Sequence, residues 1–321
     1  MPEAKPNANA APSIVYMGTP DFAVPTLHAL HHSPFDLRWV VTQPDRPKGR
    51  GRQLAAPPVK KAALQLGYDV SQPENVRHKS FLEALRRRAP DYLVVVAFGQ
   101  ILPISILEIP LRGAINVHAS LLPKYRGPAP IQWAIMRGET TTGVTTMLMD
   151  QGVDTGDMLL DASTPISEVD TAASLHDRLA IMGADLLVET IEAYHRGKIY
   201  PRSQKHQFAT YAPILKKEDG RIQWHKSALA IDAQIRAMTP WPGAFCTMCE
   251  KRYKIHKARA MADAPTTSAP GTVVPGFPDE LRIATGQGQL AILEIQSASG
   301  KRLSIEKFLN GTCIAPGEIA S

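Results

Sequence analysis

Over the first two hundred positions, short, mainly apolar runs alternate with stretches whose apolar residues recur every three or four positions. Residues 13–17, 37–42, 92–98 and Ala114–His118 form the mainly apolar runs, the pattern of buried strands. Residues 25–31, 57–66 and 80–88 lie between them with helical spacing or composition. This β-α-β rhythm predicts a mostly parallel sheet with right-handed crossovers. A further strand is expected over 142–149, and a long helix over about 171–196 that Gly197 ends.

The periodicity lapses between residues 201 and 217, and a different rhythm follows. One helix is expected over 226–238, stopped by Thr239-Pro240-Trp241-Pro242-Gly243, where two prolines remove backbone donors. Beyond it, short runs at 244–260, 271–274, 281–285 and 290–296 are punctuated by Gly, Pro and Asp, which suits a small barrel. The expected organisation is a flexible leader over 1–12, an α/β domain over 13–205, a linker over 206–214 and a β-barrel domain over 215–321.

With 321 residues, 44% hydrophobic and 21% charged, the chain has the composition of a soluble globular protein of two domains. No apolar run approaches the length of a membrane span, and a cytoplasmic monomer is expected. Cys246, Cys249 and Cys313 cannot all pair, which fits a reducing compartment. The Cys246-x-x-Cys249 spacing invites zinc, but no second pair completes four ligands. If residues 245–253 form one strand, positions three apart point to opposite faces. No metal is expected. The net charge of +6 favours a polyanionic partner, and the excess leans C-terminal: residues 206–321 carry 14 basic and 10 acidic side chains against 22 and 20 before them.

Candidate chemistry concentrates at two places. Asn116 and His118 stand two apart on one strand, so their side chains share a face. The proline-rich segment 119–130 follows at the carboxyl end of a parallel strand, where open α/β sheets bind ligands. Residues 150–157 then supply several carboxylates, a set that calcium would also use, although the terminal glutamate of an EF-hand loop is missing. A nicotinamide dehydrogenase is disfavoured because Gly18 is followed by Thr-Pro-Asp rather than a Gly-x-x-Gly turn.

Ile115-Asn116-Val117-His118-Ala119-Ser120-Leu121-Leu122-Pro123, taken with Asp150-Gln151-Gly152-Val153-Asp154-Thr155-Gly156-Asp157, resembles the methionyl-tRNA formyltransferase family. The likeness extends to Gly18-Thr19-Pro20-Asp21-Phe22, Thr42-Gln43-Pro44-Asp45-Arg46-Pro47, Ala97-Phe98-Gly99-Gln100 and Pro240-Trp241-Pro242-Gly243-Ala244. It implies a Rossmann-like sheet followed by a barrel of the oligonucleotide-binding (OB-fold) type. It implies 10-formyltetrahydrofolate as formyl donor and initiator methionyl-tRNA as acceptor. Asn116, His118 and Asp154 would be the catalytic trio. Phe98, Gly99, Gln100, Ile101, Leu102, Ser120, Leu121, Leu122, Pro123, Asp150 and Gly152 would line the substrate site.

The same resemblance assigns tRNA contacts to the cationic loop that carries Arg46, Lys48, Arg50 and Arg52, and to Lys251, Arg252 and Lys254 in the barrel. Taken alone, such charge runs are more often solvated surface. Two rivals remain in view: a formyltransferase acting on an amino sugar, which would lack the arginine-rich loop, and a non-catalytic RNA-binding protein. Lys124, Pro128 and Gln151 depart from the commonest family pattern and bear on substrate fit.

Overall fold

A computed structural model describes residues 11–48, 53–265 and 267–321. The N-terminal elements are β1 (Ser13–Gly18), α1 (Val24–His32), β2 (Asp36–Val41), β3 (Arg46–Lys48), β4 (Gln53–Ala55), α2 (Pro58–Gln65), β5 (Val70–Ser71), α3 (Lys79–Arg88), β6 (Tyr92–Val96), α4 (Ile104–Leu107) and β7 (Ala114–His118). Next come α5 (Pro130–Met136), β8 (Thr141–Leu148), β9 (Met158–Pro165), α6 (Ala172–His195) and α7 (Ala228–Ala237). The chain closes with β10 (Ala244–Met248), β11 (Lys251–Met261), β12 (Val273–Val274), β13 (Leu281–Ala284), β14 (Gln289–Ser297), β15 (Leu303–Ser304) and α8 (Ile305–Leu309).

Seven strands form one sheet in the order β5-β2-β1-β6-β7-β8-β9. Neighbours from β5 to β7 are parallel, while β8 runs antiparallel to β7. All six residues of β1 and all five of β6 are buried, as central strands under helices must be. Val15, Met17, Trp39, Phe81, Leu85, Leu93 and Val95 pack in one cluster on this sheet. Gly197 has a φ of +66° and closes the last turn of α6, the left-handed stop expected from its position.

The second sheet is antiparallel in the order β10-β11-β14-β13-β12, with β15 added beside β14. Register breaks in β11 between Ile255 and Ala258 curl it into a half-barrel. Its inner face packs with Trp224, Ile231, Ile235 and Met238 around Tyr253, Ile255, Ile283, Ile292 and Ile295. The chain divides into two compact units. One runs through Gly127 and includes Gly143–Thr164 and His176–Tyr211; the other comprises Pro128–Thr142, Pro165–Leu175 and Ala212–Ser321.

Two expectations are corrected. Residues 245–253 are not one strand: the chain reverses at Cys249 and Glu250, with φ of +47° and +60°, so β10 and β11 form a hairpin. Cys246 is buried and Cys249 sits exposed at the turn. The cationic stretch after β2 is not merely a loop, because β3 and β4 pair antiparallel from Arg46↔Ala55 to Lys48↔Gln53. Its tip, with the expected contacts Arg50 and Arg52, lies outside the described residues, as does most of the expected leader, through residue 10. Among the described residues no helix is long and apolar enough to cross a membrane.

Candidate active site

The pleat of β7 sorts its side chains. Ile115 and Val117 are buried in the core, and Gly183 on α6 lies so close that a Cβ there would stand 2.7 Å from Val117 Cγ1. Asn116 and His118 take the other face. The Asn116 side chain is half-buried and has no hydrogen-bond partner among the described residues, which leaves its amide donors open to a ligand.

After His118 the chain is folded back by short buried bonds. The Thr145 hydroxyl on β8 donates to the Ser120 carbonyl at 2.7 Å and accepts the Leu122 N–H at 3.1 Å. Ser120 Oγ donates to the Lys124 carbonyl at 2.6 Å, and Thr210 Oγ1 accepts the Tyr125 N–H at 2.9 Å. These bonds place the Tyr125 carbonyl 2.9 Å from His118 Nε2. A carbonyl only accepts, so Nε2 carries the proton. That leaves Nδ1 as the nitrogen that can exchange one.

Nδ1 faces Asp154 Oδ2 at 3.6 Å, an ion-pair separation rather than a hydrogen bond. Because β8 is antiparallel to β7, its last residue Leu148 pairs with Ile115. The following loop must therefore double back along β7 to bring Asp154 to His118. Asp154 adopts a left-handed φ of +54°, a conformation Asp tolerates better than most residues. Its Oδ2 also accepts the Gly127 N–H at 2.8 Å. Gly127 has a φ of +112°, where any side chain would be strained.

The other expected site residues fall into distinct positions. Phe98 and Leu102 are buried in the sheet's core cluster, whereas Ile101 is 78% exposed. The Phe98 carbonyl accepts from Thr19 Oγ1 at 2.7 Å, and Gly99 has a φ of +91°. Gln100 accepts the Val76 N–H and donates to the Pro73 and Glu74 carbonyls, so it holds its own loop to the chain before α3. Ser120 and Leu122 are buried, Leu121 and Pro123 half-buried. Asp150 Oδ1 accepts from Gly152 N and Thr155 Oγ1, closing its loop on itself at a Gly152 that has no room for a Cβ. Two carboxylates of this loop diverge, exposed Asp150 bonding its own loop and Asp154 turning to His118. Among the described residues no three His, Cys, Asp or Glu side chains gather as a metal site.

A surface groove of about 420 Å³, lined by Arg86, Ala89, Ser105, Glu108, Ile109 and Leu111, sits elsewhere. Ala89 and Leu111 precede β6 and β7, so it opens at the amino ends of the strands. His118 and Asn116, by contrast, stand at the carboxyl end of β7, and none of the three expected catalytic residues lines that groove.

Of the cationic residues, Arg46 donates to Gln43 Oε1 at 3.1 Å. The hairpin root is held by Asp45, which accepts from Lys60 at 2.8 and 2.9 Å and from Gln72 at 2.7 Å. Those two donors lower the Asp45 pKa. Lys48 lies within β3. Lys251, Arg252 and Lys254 are exposed on β11, and the Arg252 guanidinium stacks 3.5 Å above the Phe245 ring. Sequence reasoning missed Tyr125, Gly127, Thr145, Arg126 and Gln204. Tyr125, Arg126 and Gly127 fall within the proline-rich segment 119–130 expected to border a ligand, but without individual roles; Thr145 and Gln204 carried no signal.

The family profile described as formyl transferase matches residues 13–191, and that of the formyl transferase C-terminal domain matches 214–312. A methionyl-tRNA formyltransferase of Pelobacter propionicus is 51% identical over 96% of this chain and 95% of its own length. Another, of Citrifermentans bemidjiense, is 50% identical over 95% of each. Among solved structures, a sugar 3N-formyl transferase, solved in the presence of dTDP and 5-N-formyl-THF, superposes with a TM-score of 0.64 at 20% identity, covering 91% of this chain and 100% of that one. HypX from Aquifex aeolicus in complex with tetrahydrofolic acid gives 0.60 at 18% identity, over 94% of this chain and 47% of that one. The two solved structures speak to the fold alone.

Proposed function

The chain belongs to the formyl transferase family, and from that premise we propose that it transfers the formyl group of 10-formyltetrahydrofolate to the amino group of methionyl-initiator-tRNA. The relatives at about half identity over nearly their whole length carry that activity in their name. The observation that carries the reading to particular atoms is the meeting of His118 Nδ1 and Asp154 Oδ2 at 3.6 Å, on the strand face that Asn116 shares.

When an amine adds to a formyl carbon, the formyl oxygen gathers negative charge and the amine must lose a proton. Asn116 supplies amide N–H donors to that oxygen. His118, its Nε2 proton held by the Tyr125 carbonyl, takes the amine's proton at Nδ1 and returns it to the folate nitrogen as that nitrogen's bond to the formyl carbon breaks and the carbonyl re-forms. Asp154 fixes the ring and offsets the charge the ring acquires. The segment Phe98–Leu102 fits a planar donor as a wall of backbone groups, since its apolar side chains are largely committed to the core and Ile101 alone is widely exposed.

In this reading residues 13–205 carry the chemistry, 206–214 connect, and 215–321 grip RNA through β11. The β3–β4 hairpin provides a second cationic contact. The protein works in the cytoplasm as a monomer. Incubation with 10-formyltetrahydrofolate and charged methionyl-tRNA, followed by an assay for formylmethionine, tests it. Initiator tRNA should be formylated far ahead of elongator tRNA. Transfer to an amino-sugar nucleotide with none to either tRNA would replace the proposal with its nearest rival.

A further inference from the structure

We infer that Arg126 and Gln204 are positioning residues, which together fix the Asp154 loop so that its carboxylate meets His118. The inference rests on Asp154 being catalytic. Both side chains are buried, Arg126 at 3% and Gln204 at 4% exposure. Arg126 Nε and Nη2 both donate to Gln204 Oε1, at 3.1 and 2.7 Å, and Nη2 also meets His206 Nδ1 at 3.0 Å. No carboxylate pairs with this guanidinium among the described residues.

A buried cation without a counter-charge is unfavourable unless its charge is put to use. Here the charge polarises an amide. Gln204 takes two N–H bonds on its oxygen and donates from its nitrogen to the Asp154 carbonyl at 2.9 Å and the Gly156 carbonyl at 2.8 Å. Bonds in such a chain strengthen one another. The two carbonyls are two residues apart, so one amide spans the turn that Asp154 opens in its left-handed conformation. The next residue after Arg126 grips the same aspartate from the other side, because Gly127 N–H donates to Oδ2 at 2.8 Å. Backbone and carboxylate of Asp154 are thus held from one segment, residues 126 and 127. Neither Arg126 nor Gln204 lies within hydrogen-bond distance of the Asp154 or His118 side chains, so both act through the loop.

The test compares Gln204→Leu, Gln204→Glu and Asp154→Asn in the full chain. Gln204→Glu can keep the Arg126 contact but cannot donate to the two carbonyls. A shift of the carboxylate by about 1 Å should cost about a hundredfold in kcat, while KM for both substrates stays within about twofold because ground-state binding is untouched. Adding Gln204→Leu to Asp154→Asn should cost nothing further in kcat. Normal kcat in either folded Gln204 variant overturns the inference, as does a rise in KM at unchanged kcat. Should Gln204→Leu fail to fold, Arg126→Lys decides by the same split, since lysine keeps the charge but loses the two-pronged grip. If Asp154→Asn itself turns over normally, the catalytic reading falls instead, which separates the two failures.

Discussion

The surroundings of His118 and the outer face of β11 hold their polar groups in opposite ways. Around His118 the polar groups are buried: Ser120, Thr145, Arg126 and Gln204 are all less than 5% exposed, and Ser120, Thr145 and Gln204 fix backbone carbonyls while Arg126 holds the Gln204 amide. On β11, Lys251, Arg252 and Lys254 stand exposed, and the Arg252 guanidinium is stacked on a neighbouring ring. The first arrangement sets atoms to within the tolerance of bond making. The second sets only a field and a flat cationic surface, which is enough for a phosphate chain. Removing one group should therefore have sharply different consequences in the two places.

The largest effect is expected at the ring and carboxylate. His118→Ala and Asp154→Asn should each lower kcat by about a hundredfold to ten-thousandfold, the range for losing a positioned acid or base. Binding of methionyl-tRNA should keep its affinity and its salt dependence. Steady-state kinetics with a thermal melt on each variant checks this, and near-normal turnover in a folded variant would break the contrast. The result would also tell whether the proton exchange runs through Nδ1, the nitrogen that the Tyr125 carbonyl leaves free.

A smaller and differently shaped effect is expected on β11. Arg252→Ala should weaken tRNA binding uniformly and reduce the slope of log K against log salt by about one unit, as for one lost phosphate contact. Its kcat at saturating tRNA should stay near that of the parent chain. Phe245→Leu sharpens the comparison, because it keeps the cation and removes the ring beneath it. Lost affinity at an unchanged salt slope would mean that the stacked guanidinium recognises a base face. Filter binding over a range of salt distinguishes the outcomes.

How far the sequence revealed these two regions follows from the same difference. Strands β1 and β6 were legible because burial on both faces leaves a nearly continuous apolar run, and β2 and β7 because most of their residues are still apolar and buried. Edge strand β9, with the pattern Met-Leu-Leu-Asp-Ala-Ser-Thr-Pro, was not, because a half-exposed edge tolerates polar residues. The spacing of Asn116 and His118 announced a shared face, and only family resemblance joined Asp154 to them, since the doubling-back of its loop has no periodic signal. Arg126 and Gln204 are 78 positions apart, and each alone reads as solvated surface. The turn at Cys249 and Glu250 was hidden because positive φ at both corners normally goes to Asn and Gly, which announce it. The cations of β11 were visible as charge, but the stacking of Arg252 on Phe245 depends on a hairpin that has no glycine or asparagine to announce it.

That hairpin allows the smallest effect to serve as a control on the larger ones. On β10, Phe245 faces outward beneath Arg252 while Cys246 faces the core at 0% exposure, so neighbouring residues report on opposite sides of one strand. Burial pushes the Cys246 thiol up to about 12, and the thiolate is the form that reacts. At pH 8 the native chain should therefore label with iodoacetamide at exposed Cys249 and Cys313 and leave Cys246 untouched. Labelling of Cys246 should rise only on unfolding. Peptide mass spectrometry with fragmentation reads all three sites in one digest. In Arg252→Ala and Phe245→Leu the protection of Cys246 should persist, because neither change reaches the inner face. If Cys246 labels in either variant under native conditions, the loss of RNA binding reflects a loosened half-barrel. The exposed cations would then have no separate claim to it.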